Sequence, residues 1–182
     1  MATRRKKTAP RDAVALLIAD HKEVAKLFAG YKRAKARNDR KAKSGLVVKI
    51  CQALTLHATI EEEVFYPDVE RALGKTGPDK IGEATVEHGS LKMLIAELEA
   101  MAADDKLFDP TVKVLQEYVE HHVEEEETDM FPKVRRTKLD LVAIGEQLAA
   151  RKKELATTGI STRLFQQAKK LLVPLTTPSG VL

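Results

Sequence analysis

The 182 residues carry 31 Lys and Arg against 27 Asp and Glu, a net charge of +4, with 43% hydrophobic and 32% charged residues. This balance excludes a disordered chain and gives no strong pull towards nucleic acid. The lone cysteine, Cys51, excludes an internal disulfide and any cysteine-based zinc or iron–sulfur site, and suits a reducing, cytoplasmic setting.

The length fits one domain with a real core. Aromatic residues are few and tryptophan is absent, so that core is aliphatic, which suits helix-on-helix packing. No apolar run approaches the roughly 20 residues of a membrane span, and the N-terminus lacks the apolar centre of a signal peptide. Residues 1–10 read as a basic, solvated tail, with Arg4, Arg5, Lys6 and Lys7, followed by Arg11. Basic residues without interleaved aromatics are a weak sign of a nucleic-acid arm.

Helical periodicity then appears in long segments. The first, about Asp12 to Ala36, carries Val14, Leu17, Ile18, His21, Val24 and Phe28 on one face, and Asn38 and Asp39 break it. A second runs from about Arg40 to Leu73 with Val47, Ile50, Leu54, His57, Glu61, Val64 and Phe65 in its stripe, ending at Gly74 to Pro78. The third, about Asp79 to Ala103, lines up Ile81, Ala84, His88, Leu91, Ile95 and Leu98. Asp109-Pro110 reads as an acidic cap with proline at the first position of a fourth helix, whose stripe is Leu115, Val119, His122, Glu126 and Met130. Pro67 and Pro132 should kink or terminate helices two and four. Leu139 to Leu155 reads as one further helix, and Ile160 to Val173 as a short amphipathic piece for packing on the bundle or a partner.

Each apolar stripe is interrupted near its middle by a histidine: His21, His57, His88 and His122. A buried imidazole needs hydrogen-bond partners or a metal, and four of them at one level of a bundle are hard to satisfy separately. His57-Ala-Thr-Ile-Glu61 and His122-Val-Glu-Glu-Glu126 each place a glutamate one turn further along the same face. The match continues, because Glu62 aligns with Glu127 and Phe65-Tyr66-Pro67 with Met130-Phe131-Pro132. An acid at a given offset is roughly a one-in-seven event with 27 acids in 182 residues, so it is the repeated register that carries weight. Imidazoles suit iron, and bridging carboxylates hold two ions close together. The carboxylate-rich alternative needs Glu-x-x-His within a helix, and the chain has none.

Asp20-His21, His57 to Glu62 with Phe65-Tyr66-Pro67, Glu87-His88, and His122 to Glu127 with Phe131-Pro132 resemble the hemerythrin HHE cation-binding family. The resemblance covers about Asp12 to Arg136. It implies an all-α, up-down-up-down four-helix bundle over 11–137; beyond it, 138–182 read as a C-terminal helix and tail. It implies a non-haem di-iron centre, two oxo-bridged Fe ions, on His21, His57, Glu61, His88, His122 and Glu126. Oxygen-carrying members have a further histidine where this chain has Lys92, which favours redox chemistry or ligand sensing over reversible oxygen carriage. The expected function is binding or reducing peroxide, O2 or NO in oxidative or nitrosative stress. The alternative is a sensor or iron donor acting through a protein partner at the C-terminal extension, and a third class is a purely structural metal. No catalytic acid or base stands out apart from the ligands.

The remaining polar residues have plainer readings. His121 sits about 100° round the helix from His122 and reads as a rim residue or a group supporting a ligand, and as a fifth ligand only with local distortion. Glu62, Glu63, Glu124, Glu125 and Glu127 read as a solvated face, Tyr118 and Tyr66 as packing residues, and Cys51 as a small buried hydrophobe.

Overall fold

In a computed structural model the structure describes residues 12–158; the basic start and the stretch Ile160 to Val173 lie outside the described residues. Helix α1 spans Ala13–Ala36 and α2 Arg40–Ile60. A π-helical turn, Glu61–Phe65, joins α2 to α3, Tyr66–Leu73. Next come α4, Gly77–Ala100, and α5, Phe108–Glu125. A second π-helical turn, Glu126–Met130, leads into α6, Phe131–Val134, and α7 follows at Leu141–Thr158. The molecule is an up-down-up-down four-helix bundle with a C-terminal helix, and all regular structure among the described residues is helical.

Local chemistry sets the breaks. Asp12 caps α1 by accepting from the Ala15 N–H at 2.7 Å, and Asp39 caps α2 through Ala42 at 2.9 Å. Asn38 turns the chain between them with a φ of 53°. Gly74 ends α3 at a φ of 61°. Gly77 starts α4 so close to α3 that a Cβ there would lie 2.1 Å from the Glu70 carbonyl oxygen. The close approach requires glycine.

One expectation about a helix end is corrected, and one is narrowed to local irregularity without an end. Asp109 does not cap α5, which begins one residue earlier at Phe108; it lies in the first turn and binds Tyr31 and Lys43 instead. Nor do Pro67 and Pro132 end their helices. The Tyr66 N–H reaches back to the Glu61 carbonyl, and that of Phe131 to the Glu126 carbonyl, a π spacing in both cases. A proline ring collides with the carbonyl four residues before it. Widening the preceding turn makes room, and the helix continues.

Two apolar clusters fill the bundle. One gathers Val14, Leu17, Phe65, Val69, Phe131 and Val134; the other Phe28, Ile50, Leu54, Ile95, Leu115 and Val119. In α1, α2, α4 and α5 with its π-turn continuation the histidine falls in sequence between residues of the first cluster and residues of the second, so the histidines form one layer between two apolar plugs.

Helix α7 is not set apart from the bundle. It packs on α1 and α2, and Ile144, Leu148 and Leu155 are buried in the first cluster. Each such side chain contributes roughly 1.5–3 kcal/mol of burial. Tyr118 is a further correction: it is 50% exposed, because Val119, about 100° round the helix, takes the inward position.

Candidate metal centre

The histidine layer closes on itself through its Nε2 atoms. His21 Nε2 lies 3.1 Å from His57 Nε2, and His88 Nε2 lies 3.1 Å from His122 Nε2. Glu61 Oε2 stands 3.2 Å from His57 Nε2 and 3.5 Å from His88 Nε2, so it spans the two pairs. Glu126 Oε2 does the same from the other repeat, 3.2 Å from His21 Nε2 and 3.7 Å from His122 Nε2. All six residues expected from the sequence are therefore buried together. Two groups that could hold a metal ion result, His21, His57, Glu61 and Glu126 in one, Glu61, His88 and His122 in the other.

Behind the layer stands a ring of carboxylates. Glu127 lies 2.8 Å from His21 Nδ1, Glu62 3.0 Å from His88 Nδ1, and Glu87 2.7 Å from His122 Nδ1. The fourth, Asp20, faces His57 Nδ1 at 3.7 Å. An ionised carboxylate only accepts, so these Nδ1 atoms carry the proton and each Nε2 presents a lone pair inward. The Glu87 carboxyl is held below its usual range by the His122 hydrogen bond. Burial works against ionisation of Glu62, yet His88 and Lys92 hold it low as well. Reading Glu62 and Glu127 as a solvated face thus misses their role, and Glu87 and Asp20 went without one. The signal available in the sequence was the acid beside each motif residue: Asp20-His21, Glu61-Glu62, Glu87-His88 and Glu126-Glu127.

The aromatic members of the repeat roof the same layer. Tyr66 stacks on His88 with ring centroids 5.5 Å apart, and Phe131 stacks on His21 at 5.8 Å. The repeats differ in one atom of consequence. Tyr66 donates its hydroxyl to Glu126 Oε1 at 3.1 Å, whereas Phe131 has none to offer Glu61. Accordingly both oxygens of Glu61 are buried without a hydrogen-bond partner, and so is Glu126 Oε2.

Such a layer is electrostatically unfinished. Paired lone pairs at 3.1 Å and orphaned carboxylate oxygens repel one another unless a cation lies among them. Burial, with the Glu126 charge added, pushes the Glu61 carboxyl well above its usual range. Burial has the same sense at Glu126, but the facing imidazoles, His21 foremost, win and hold it at about 2. Burial takes His57 down to about 4 and lowers His88. At His122 burial also lowers, but the hydrogen bond it donates to Glu87 and the Glu126 charge outweigh it. His57, His88 and Glu126 are thereby held in the forms a metal needs, neutral imidazole and bare carboxylate. Glu61 and His122 are instead favoured in protonated form and would give up a proton on binding a metal. The 3.1–3.7 Å spacings also suit neighbouring ligands on one ion, with bonds of about 2.0–2.2 Å.

A cavity of about 20 Å³ adjoins the imidazoles beneath Leu54, Leu91, Ile95 and Val119, with Lys92 among its lining residues. The Lys92 Nζ donates to both Glu62 oxygens at 2.6 Å. His121 lies at the rim, 63% exposed on its side chain, 3.7 Å from Glu87 and 3.5 Å from Glu125. Cys51 is buried, and burial raises its thiol to about 12.

A four-helix bundle with a histidine–carboxylate layer at its middle defines a class, the hemerythrin-like helical proteins. The chain belongs to the Hemerythrin HHE cation binding domain family, which it matches over residues 12–134. An uncharacterized hemerythrin-like protein of Schizosaccharomyces pombe is 29% identical over 113 residues, 62% of this chain and 54% of that one. A DNA nickase of a Nostoc species is 29% identical over 116 residues, 64% of this chain and 31% of that one. The chain therefore spans about half and under a third of those relatives. In fold it is similar to an HHE cation binding domain-containing protein of Mycobacterium kansasii, with a TM-score of 0.67 at 24% identity over 82% of this chain and 90% of that one.

Proposed function

We propose that the chain is a non-haem di-iron protein that binds or reduces a small oxidant, peroxide, O2 or NO, in oxidative or nitrosative stress. The observation that carries this is the inward convergence of four imidazoles, three of them hydrogen-bonded to a carboxylate from behind, on carboxylate oxygens that have no other partner. His21, His57, Glu61, His88, His122 and Glu126 would hold the two ions. Bound iron supplies one-electron and two-electron redox chemistry that no side chain here provides.

The rest belongs to the chain. The outer carboxylates fix the imidazole tautomers and orientation. Leu54, Leu91, Ile95 and Val119 keep bulk water from the layer, and their cavity suits a ligand of a few atoms, since one water needs about 10–15 Å³. Lys92 stands where a further imidazole would close the site, and its bond to Glu62 ties it to the support of His88 instead. No helix among the described residues is long and apolar enough to cross a membrane, and with a single cysteine we assign the chain to the cytoplasm.

Metal content of freshly purified protein, read with its visible spectrum before and after hydrogen peroxide, tests this reading. Two irons per chain and consumption of peroxide with a spectral change are expected, and His57→Ala or Glu126→Ala should each lower bound iron sharply. Two irons with inert peroxide would turn the assignment to the sensor or iron-donor reading. Failure to bind iron even after anaerobic reconstitution with Fe²⁺ would overturn it.

A further inference from the structure

The carboxylate ring is regular in three places and open in the fourth. Glu127, Glu62 and Glu87 each sit within 2.7–3.0 Å of their imidazole Nδ1. Asp20 stands at 3.7 Å from His57, and both Asp20 Oδ2 and His57 Nδ1 are buried without a hydrogen-bond partner. The internal repeat gives the comparison, since Asp20-His21 corresponds to Glu87-His88 and Asp20 faces His57 as Glu87 faces His122.

What distinguishes Asp20 is a second contact that comes from α7 and holds one oxygen only, whereas Lys92 binds both oxygens of Glu62 and leaves it 3.0 Å from His88. Its Oδ1 accepts from the Lys152 Nζ of α7. Neighbouring Arg151 donates to Glu63, in the π turn beside the Glu61 ligand, at 2.6 and 3.2 Å. Helix α7 thus holds one member of the carboxylate ring, Asp20, and the π turn that carries Glu61 and Glu62, with Ile144, Leu148 and Leu155 seating it in the core. Both contacts lie beyond residue 134, where the family match ends.

We propose that Lys152 is a positioning residue that draws Asp20 away from His57, so that α7 sets how firmly the His21–His57 half of the centre holds its metal. The inference rests on the metal reading above. A cation held on one carboxylate oxygen fixes the group towards its own side, and here it leaves the other oxygen 3.7 Å from the imidazole N–H. A metal-bound imidazole with a weak outer partner is a weaker, less firmly oriented ligand, and such partners are worth about 10–100-fold in metal affinity. The half built on His88 and His122 keeps both of its carboxylates, so the two metals differ in lability.

The test is the rate at which a chelator removes iron from protein first loaded with two Fe²⁺ per chain. The wild-type chain should release iron in a fast and a slow phase. Lys152→Met should slow the fast phase about ten-fold. Lys152→Arg, which keeps the cation, should restore the wild-type rate. Asp20→Asn should speed release, and adding Lys152→Met to it should change nothing more. A second readout needs no metal. In the metal-free chain the His57 Nδ1 proton should exchange with water more slowly, and resonate further downfield, in Lys152→Met than in wild type. Equal release rates and an unchanged His57 signal would overturn the proposal while leaving the iron centre standing. A chain that never takes up iron would refute the metal reading, and the His57 signal would still decide whether Lys152 holds Asp20 off.

Discussion

Glu62 shows at the scale of one residue how the centre differs from a set of buried histidines. Its carboxylate is shared between His88 Nδ1 and Lys92, so it fixes the imidazole while its own charge is neutralised by a lysine. Glu62→Gln keeps the shape and removes the charge. Competitive chelator titration should show about a 10–100-fold loss of metal affinity with helicity unchanged. From the sequence this residue was indistinguishable from its neighbour Glu63, because a run of three glutamates on a helix normally faces water. Rotation of 100° per residue gives each of the three a different direction. Whether an imidazole waits in that direction depends on another helix. The ligands themselves were legible because they share one face with the apolar stripe. Tyr66 was half legible: it reads as a packing residue from the sequence, but its hydroxyl bond to Glu126, 60 residues away, does not follow from it.

Among the elements, α1 illustrates how an end is fixed both locally and across the fold. Asp12 caps the helix through Ala15 and also accepts from Arg135 at 3.0 and 3.2 Å, which fastens the start of α1 to the end of α6. Asp12→Ala should lower unfolding stability by about 1–2 kcal/mol in urea titration, the usual range for loss of a cap. The helix itself was evident from its periodicity, whereas the Arg135 bond spans 123 residues and was not. The π turns lay between these extremes. Each proline promised a local disturbance, but a proline can break a helix or widen the turn before it. Continuous packing of Phe65, Val69, Phe131 and Val134 on the core favours widening.

Across the whole molecule, the apolar plug far from the α7 end carries its own polar fastener. Asp109 at the start of α5 binds Tyr31 of α1 and the buried Lys43 of α2, so three helices meet at one carboxylate. Burial opposes ionisation of Asp109, but Lys43 and Tyr31 hold its carboxyl below the ordinary value of 3.8. A group lowered on folding adds stability above its unfolded value, and that stability is lost as pH falls through the folded value. Asp109→Asn should therefore destabilise the chain by about 2 kcal/mol near neutral pH. The difference from wild type should shrink as pH drops below about 4, measured by urea midpoints across pH. A difference that stayed constant down to pH 2 would show that the carboxylate charge is not what fastens these helices.

The sequence by itself determined four helices, one imidazole in each and a glutamate one turn beyond two of them. Those features are local: the helical repeat decides which residues share a face, and apolar neighbours decide that the face is buried. Only the tertiary structure decided how the helices are rotated and levelled against one another. On that rotation depend the pairing of each Nδ1 with a carboxylate from another helix, the stacking of Tyr66 and Phe131, and the seat of α7 over Asp20. Such contacts join residues far apart in the chain, and no spacing within one helix specifies the angle at which a second helix meets it.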